Sequence, residues 1–366
     1  MKWIALFGLA AALGAAESPE TQVRRALQAG TGVVMLPAGE IEVSREIVLP
    51  GGAHDLEIRG SGTTLKASPN FRGRALIVLS EGKNVKIHDL SLDGNRDEVG
   101  RMLALPSAGT MYSRFVPDNG ILAERVTGLE VAHIKATRIA GFAVLINGGR
   151  NVRVHDVDVT DSGGLSPQRR NNATGGLLLE EGSADFEIAR CLFGRIRGNG
   201  ITIRSGERGR IHENEFRSVA RDAIEVTGGS ALVIENNHAE QIGFPVEQVE
   251  SPGALCLRLE HFEHGEVKGN TCSEALLGAV SLTGSGNRIA ENHFTSLNVS
   301  RRDTPGVYLG EGAKDNTIEN NEISGTGMSL HCVGVGSAET ANGNKTLRND
   351  CSDEASVAIL LPAKRH

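Results

Sequence analysis

The chain has 366 residues, a net charge of −7 from 38 basic and 45 acidic residues, 46 glycines and only 4% aromatic residues. A chain this long buries a large core, and with so few rings that core must be built from valine, isoleucine, leucine and alanine between many tight turns, which suits an all-β solenoid. Acidic and basic residues are interspersed, which excludes the clustered basic face of a nucleic-acid binder.

Residues 1–16 carry Lys2, an apolar run from Trp3 to Leu13 and the small residues Gly14, Ala15 and Ala16. This is the layout of a cleavable secretory signal and predicts a secreted or periplasmic protein. The run is too short for a stable membrane anchor. No second stretch approaches membrane length, so the mature chain, 17–366, is expected to be a monomer with no membrane partner. In SPETQVRRALQAG, Ser18 is placed to cap a helix, Pro19 to begin it and Gly30 to end it, which predicts a short helix over 19–28 closing one end of the solenoid.

Beyond it an apolar position recurs at Ile58, Ile87, Val131, Val154, Ile188, Ile211, Ile234, Val267, Ile289, Ile318 and Leu347. The shortest steps are 22 and 23 residues, and longer ones coincide with polar insertions, as expected for stacked coils. Between these positions lie glycine-bounded segments of period two, including GGLLLEE, GNGITIRS, RDAIEVTG, GALCLRLE, GAVSLTGS and PGVYLGEG. Each coil therefore holds several short strands, which predicts one parallel β-helix domain of about ten to eleven coils.

Three residues after the apolar position stand Asn214, Asn237, Asn270, Asn292 and Asn321, while Leu90, Ile134, Val157 and Cys191 hold the same place in earlier coils. Equivalent turns of neighbouring coils lie roughly 4.8 Å apart. The asparagines are thus predicted to form a buried structural ladder continued by an apolar stack. Cys191, Cys256, Cys272, Cys332 and Cys351 show no C-x-x-C spacing, so they are expected mostly as small core residues, without a disulfide framework or zinc site.

The succession of capping helix, GVVMLPAGEIEV, LEIRGSGTTL and LSLDGN resembles the right-handed parallel β-helix proteins of the pectate lyase superfamily, in which a capping helix leads into a strand ending in L-P-A-G and then into coils. The resemblance covers nearly all of the mature chain. It implies a right-handed parallel β-helix and specifies the fold far better than the reaction.

The insertions at 161–174 and 241–252 are expected to rise from one turn and wall a groove floored by GNGITIRS and RDAIEVTG, with the insertion at 95–118 extending one wall. Alternation turns Ile201, Ile203, Ile224 and Val226 inward and Thr202, Arg204, Glu225 and Thr227 outward, flanked by Leu178 and Glu180 on one side and Cys256 and Arg258 on the other. The plainest use of these charges is cross-strand pairing, Glu180 with Arg204 and Glu225 with Arg258 or Arg204. RDAIEV also resembles the G-D-D-C-I-A-I strand of polygalacturonases, with Asp222 matching the second aspartate. GNGITI resembles their N-T-D-G-I segment, with Asn199 in place of the aspartate. The histidine of G-H-G-I is missing from PGAL, and Arg258 is only a loose substitute for R-I-K.

Glycoside hydrolysis needs one protonated carboxyl and one carboxylate. Asp222 as base, Glu225 as acid and Arg204 form the expected catalytic set, with Glu180, Asn199, Arg221, Arg258, Tyr308 and His331 as substrate contacts and no cofactor. Two other uses of the groove are open. A lyase would hold Ca²⁺ on Glu180, Asp222 or Glu225 and use Arg204 or Arg258 as base. A scaffold would bind polysaccharide without turnover.

Overall fold

The computed structural model describes residues 17–102, 104, 109–247, 254–300, 304–325, 332–351 and 357–359; the expected signal at 1–16 and His331 lie outside the described residues. The predicted helix forms as α1 (Pro19–Leu27), with Ser18 Oγ accepting from the Thr21 amide at 3.2 Å. Val23 and Leu27 are buried, and Arg24 donates to the carbonyls of Glu46 and Arg45, which fastens the helix to the first coil.

Thirty strands join in one continuous parallel sheet wound into a β-helix with three faces. On the first face Val34, Ile58, Ile87, Val131, Val154, Ile188, Ile211, Ile234, Val267, Ile289, Ile318 and Thr346 stand opposite one another in turn. The column thus begins a coil earlier than the sequence suggests. It ends on Thr346 rather than Leu347, which is 46% exposed because a slip of one residue turns a strand side chain outward. Among the described residues the column has twelve members, one more than the eleven positions read from the sequence. The second face stacks Phe193 on Phe216 with centroids 5.0 Å apart. The third buries Ile121, Val144, Leu177, Ile201, Ile224, Leu257, Val280 and Val307.

The turn between the first and second faces is nearly invariant. Asp89, His133, Asp156, Arg190, Glu213, Asn236, Gly269, Glu291, Asn320 and Arg348 all take left-handed φ values between +50° and +63°, and each directly precedes the ladder position. The short polar or flexible side chains at several of these positions suit that conformation. After this bend the Nδ2 of Asn214, Asn237, Asn270, Asn292 and Asn321 donates to the Oδ1 of the next asparagine at 2.8–2.9 Å, ending on Asn349. Their second amide hydrogens reach carbonyls of the preceding coil, Ile188, Ile211, Ile234, Val267 and Ile289, so the buried amides are satisfied as predicted.

A second ladder, Asn287 to Asn316 to Asn344, runs before the first face and is not anticipated by the sequence reading. The cysteines also depart from expectation. Cys256 pairs with Cys272 and Cys332 with Cys351, leaving Cys191 free and buried. Winding the chain into coils brings these pairs together across a turn, a proximity that residue spacing does not reveal.

Candidate functional site

All three insertions leave the helix at one turn, between the second and third faces. In the two coils between the later insertions this turn is short, and its side chains tie each coil to the next. Asn199 Oδ1 accepts from the Asp222 amide at 3.2 Å, and Asp222 Oδ1 accepts from the Leu255 amide at 2.8 Å. Asn119 does the same for Phe142 at 2.7 Å, three coils before Asn199. Asn199 and Asp222 therefore do for this corner what the amide ladder does for the other.

On the third face the strand register aligns Leu122, Leu145, Leu178, Thr202, Glu225, Arg258, Ser281 and Tyr308 in one outward row. The first part of this row is covered. The insertion after Asp93 folds back over it, stacking Tyr112 on Phe142 with centroids 5.9 Å apart above the apolar Leu122, Leu145 and Leu178. Arg204 lies 4.6 Å from the centre of the Tyr112 ring and donates to the Thr110 carbonyl at 2.9 Å. Glu180, expected to face substrate, is 2% exposed. Its carboxylate accepts from the Tyr112 and Ser113 amides at 2.9 and 2.8 Å, while Arg204 stands 3.7 Å away. Glu180 thus clasps the insertion in place. A cleft of about 300 Å³ remains between residues 109–111 and Glu180, Arg204 and Thr227.

Beyond the insertion the row opens onto Glu225 and Arg258. Arg258 does not pair with Glu225; its Nε donates to Asp222 Oδ2 at 2.7 Å, and a second nitrogen lies 3.3 Å from Oδ1. The Asp222 side chain is 3% exposed and both its oxygens are engaged, which ties the expected general base into the corner. Its contacts make it the holder of Arg258 and of the corner. Glu225 differs. Burial, and then the charge of Asp222, push its carboxyl above the usual carboxylate range. Asn199 Nδ2 donates to Glu225 Oε2 at 2.6 Å and lies 3.1 Å from Thr202 Oγ1.

The structure thus brings together Asn199, Asp222, Glu225 and Arg258, with the charge of Arg221 reaching Glu225. Arg204 and Glu180 stand one coil or more back under the insertion. Tyr308 follows two coils after Arg258 in the same row, roughly 10 Å along the groove at one strand spacing per coil. Cys256, expected outward, is buried because its sulfur turns in to meet Cys272. The sequence reading misses Tyr112, whose only signal is that it is one of two tyrosines in the chain and lies inside the longest insertion. Among the described residues no group of three or more His, Cys, Asp or Glu side chains is disposed to hold a metal ion.

The family model described as right handed beta helix region matches residues 28–240 and 175–359. Three solved structures resemble the whole chain. The A-module of mannuronan C-5 epimerase AlgE4 from Azotobacter vinelandii has a TM-score of 0.69 at 15% identity, with 95% of each chain covered. DFA-IIIase from Arthrobacter chlorophenolicus A6 has a TM-score of 0.65 at 13% identity, covering 97% of this chain and 98% of that one. The surface adhesin PfbA of Streptococcus pneumoniae has a TM-score of 0.68 at 13% identity, covering 94% and 90%. At these identities the likeness is one of fold. No curated protein sequence gives a significant match.

Proposed function

The chain belongs to the right-handed β-helix family, and on that scaffold we propose that it cleaves a glycosidic bond of a polysaccharide with Glu225 as the proton-donating carboxyl. The observation that carries this reading is the setting of Glu225. It is an outward-row glutamate made more basic by burial and by Asp222, and it is oriented by the Asn199 amide at 2.6 Å. A carboxyl raised in this way holds its proton to higher pH than an ordinary glutamate, which suits it to donate to a leaving oxygen. Saccharide as the ligand class is supported by the outward row of Thr202, Glu225, Arg258, Ser281 and Tyr308 on one face and by a fold neighbour named for its action on mannuronan.

The second carboxylate in this proposal is Glu260, whose charge also reaches Glu225. Arg258 is the cross-strand partner of Glu225 and Glu260 stands two residues further on, so the two backbones are about 8 Å apart. From that backbone separation two outward glutamate side chains can reach the roughly 6.5–9.5 Å between carboxyls of an inverting pair. Glu225 gives its proton to the glycosidic oxygen as the C–O bond breaks, and a water deprotonated by Glu260 attacks the anomeric carbon. Asp222 contributes by fixing Arg258 against the bound sugar. Export to an oxidising compartment is part of the same reading and is supported by the two disulfides.

A panel of acidic and neutral polysaccharides, assayed for reducing ends and for unsaturated uronate absorbance, tests the proposal. Hydrolysis gives reducing ends without unsaturation, lost in Glu225→Gln and in Glu260→Gln. Unsaturated product would move the reaction to β-elimination. Binding without either product would leave a carbohydrate-binding scaffold.

A further inference from the structure

At the rim of the groove, two residues before Asn199, Arg197 meets Arg96 from the first insertion. Both are buried, at 9% and 7% exposure. Each donates to the Gly163 carbonyl, Arg96 at 3.2 Å and Arg197 at 3.3 Å, so one acceptor holds the two guanidinium groups side by side. Gly163 has φ +111°, and a Cβ there would lie 2.7 Å from Arg197 Cβ and 2.8 Å from the Thr174 carbonyl oxygen, so only glycine fits this anchor. From the third insertion Glu247 reaches across, one carboxylate oxygen to each arginine. A cavity of about 280 Å³ opens beside them, lined by Arg96, Arg101, Arg169 and Arg197 with Asp97 as the acidic member.

Two buried guanidinium groups set in advance by a shared carbonyl, in a wall with four arginines, form a binding site for a planar or tetrahedral oxyanion. Arg197 Nε is buried without a hydrogen-bond partner, so the capacity to donate is not exhausted. Though burial alone would raise it, Arg197 and Arg96 hold the Glu247 carboxyl below its usual range, as they would a ligand's anionic group.

We propose that this cavity is an oxyanion subsite for an acidic saccharide, and that Glu247 occupies the place of the ligand's carboxylate. This rests on the carbohydrate reading above but not on turnover. The subsite sits at the edge of the floor that carries Asn199, so a charged substituent held there places the chain along the Glu225 row.

Calorimetric titration of the full chain with glucuronate, inorganic sulfate and glucose tests it. Glucuronate is expected to bind and glucose not. Glu247→Gln, which removes the competing charge, should tighten glucuronate about tenfold. Because replacing buried Arg96 or Arg197 endangers the fold, the second arm is exposed Arg169→Gln in the Glu247→Gln background, expected to weaken glucuronate about tenfold with an unchanged melting temperature. Equal binding of glucose and glucuronate, indifference to both substitutions, or binding of sulfate alone would overturn the proposal. Glucuronate binding by a protein that turns over no polysaccharide would leave the subsite standing and remove only the catalytic reading.

Discussion

Two of the three corners that the described coils turn are of opposite character. The corner between the first and second faces is one left-handed residue followed by an asparagine or an apolar side chain, and its amides are paired. The corner between the second and third faces varies from a few residues to the long insertion before Asn119. Its side chains include Asp118, buried with neither carboxylate oxygen hydrogen-bonded, and Arg197 and Arg221, each with a buried Nε lacking a partner. A corner whose polar groups are satisfied by repetition stabilises the stack. On the proposed function, ligand binding falls to the variable corner, which Asn199 and Asp222 also brace, while the repeating corner serves stability alone.

The sharpest way to break that division is Glu225→Gln, on the strand that leaves the variable corner. The replacement keeps the shape and the Asn199 contact but removes the proton, so turnover should fall about 10²–10⁴-fold while the melting temperature stays unchanged. Because the carboxyl is raised, wild-type activity on the same substrate should decline as pH rises through its pKa, when the acid form is lost. A comparable loss of stability in Glu225→Gln would place the residue with the structural corner instead.

Asp118 gives the next largest effect. Burial lifts its carboxyl from 3.8 to about 6 despite Arg101 and Arg72, and the Arg101 guanidinium 3.2 Å away makes no hydrogen bond to it. A folded-state pKa above the unfolded one means the folded chain binds more protons, so stability falls as pH rises from about 4 to about 6. The shift corresponds to about 3 kcal/mol. Asp118→Asn should recover much of this at pH 7 and nothing below about pH 4, as read from urea midpoints across that range.

The invariant corner was almost fully legible in the sequence, because one side chain repeats there at a fixed offset and each repeat reports the same environment. Asn214 through Asn321 follow from a pattern of seven letters. Leu347 was misplaced because Thr346, the true column member, is polar and gives no apolar signal at the column position. The variable corner was legible only as a location. That two insertions share a turn follows from strand counting, but the third and the folding over the sheet depend on contacts far apart in sequence. Glu180 reaches Tyr112 across 68 residues and Arg96 reaches Glu247 across 151. Asp222 was singled out correctly as a corner residue, but its use by Leu255 and Arg258 required the register between coils. The disulfides were hidden for the same reason.

Asn237→Leu tests the invariant corner directly. The Asn214 amide and side chain would lose their shared acceptor, and Asn270 Oδ1 would lose both donors that Asn237 supplies. The Ile211 carbonyl would lose its partner as well. The expected cost is about 1–3 kcal/mol, measured as a lower urea midpoint, and no change would mean the ladder adds nothing to the stack.

The smallest effect is expected where ladder and apolar stack meet, at Cys191. Its backbone amide already donates to Asn214 Oδ1 at 3.0 Å, as each ladder asparagine does to the next. Its sulfur lies 3.8 Å from the Val154 carbonyl and 3.3 Å from that of Ala189. These are the two carbonyl positions that Asn292 uses one coil back and two residues back, at Val267 and Ala290. The Val157 amide approaches the sulfur in the place where a ladder Oδ1 accepts, and burial pushes the thiol pKa up to about 12, so no ionised form is lost on replacement. Cys191→Asn should therefore extend the ladder by one coil, its amide donating to Asn214 Oδ1 and Val154 and accepting from Val157. Gained hydrogen bonds and added polar burial nearly offset, which leaves stability within about 1 kcal/mol of the parent. A loss of about 3 kcal/mol or more, the usual cost of an unsatisfied buried amide, would mean that the apolar half of the corner is not interchangeable with the amide half and that the boundary at Cys191 is fixed by packing rather than by sequence history.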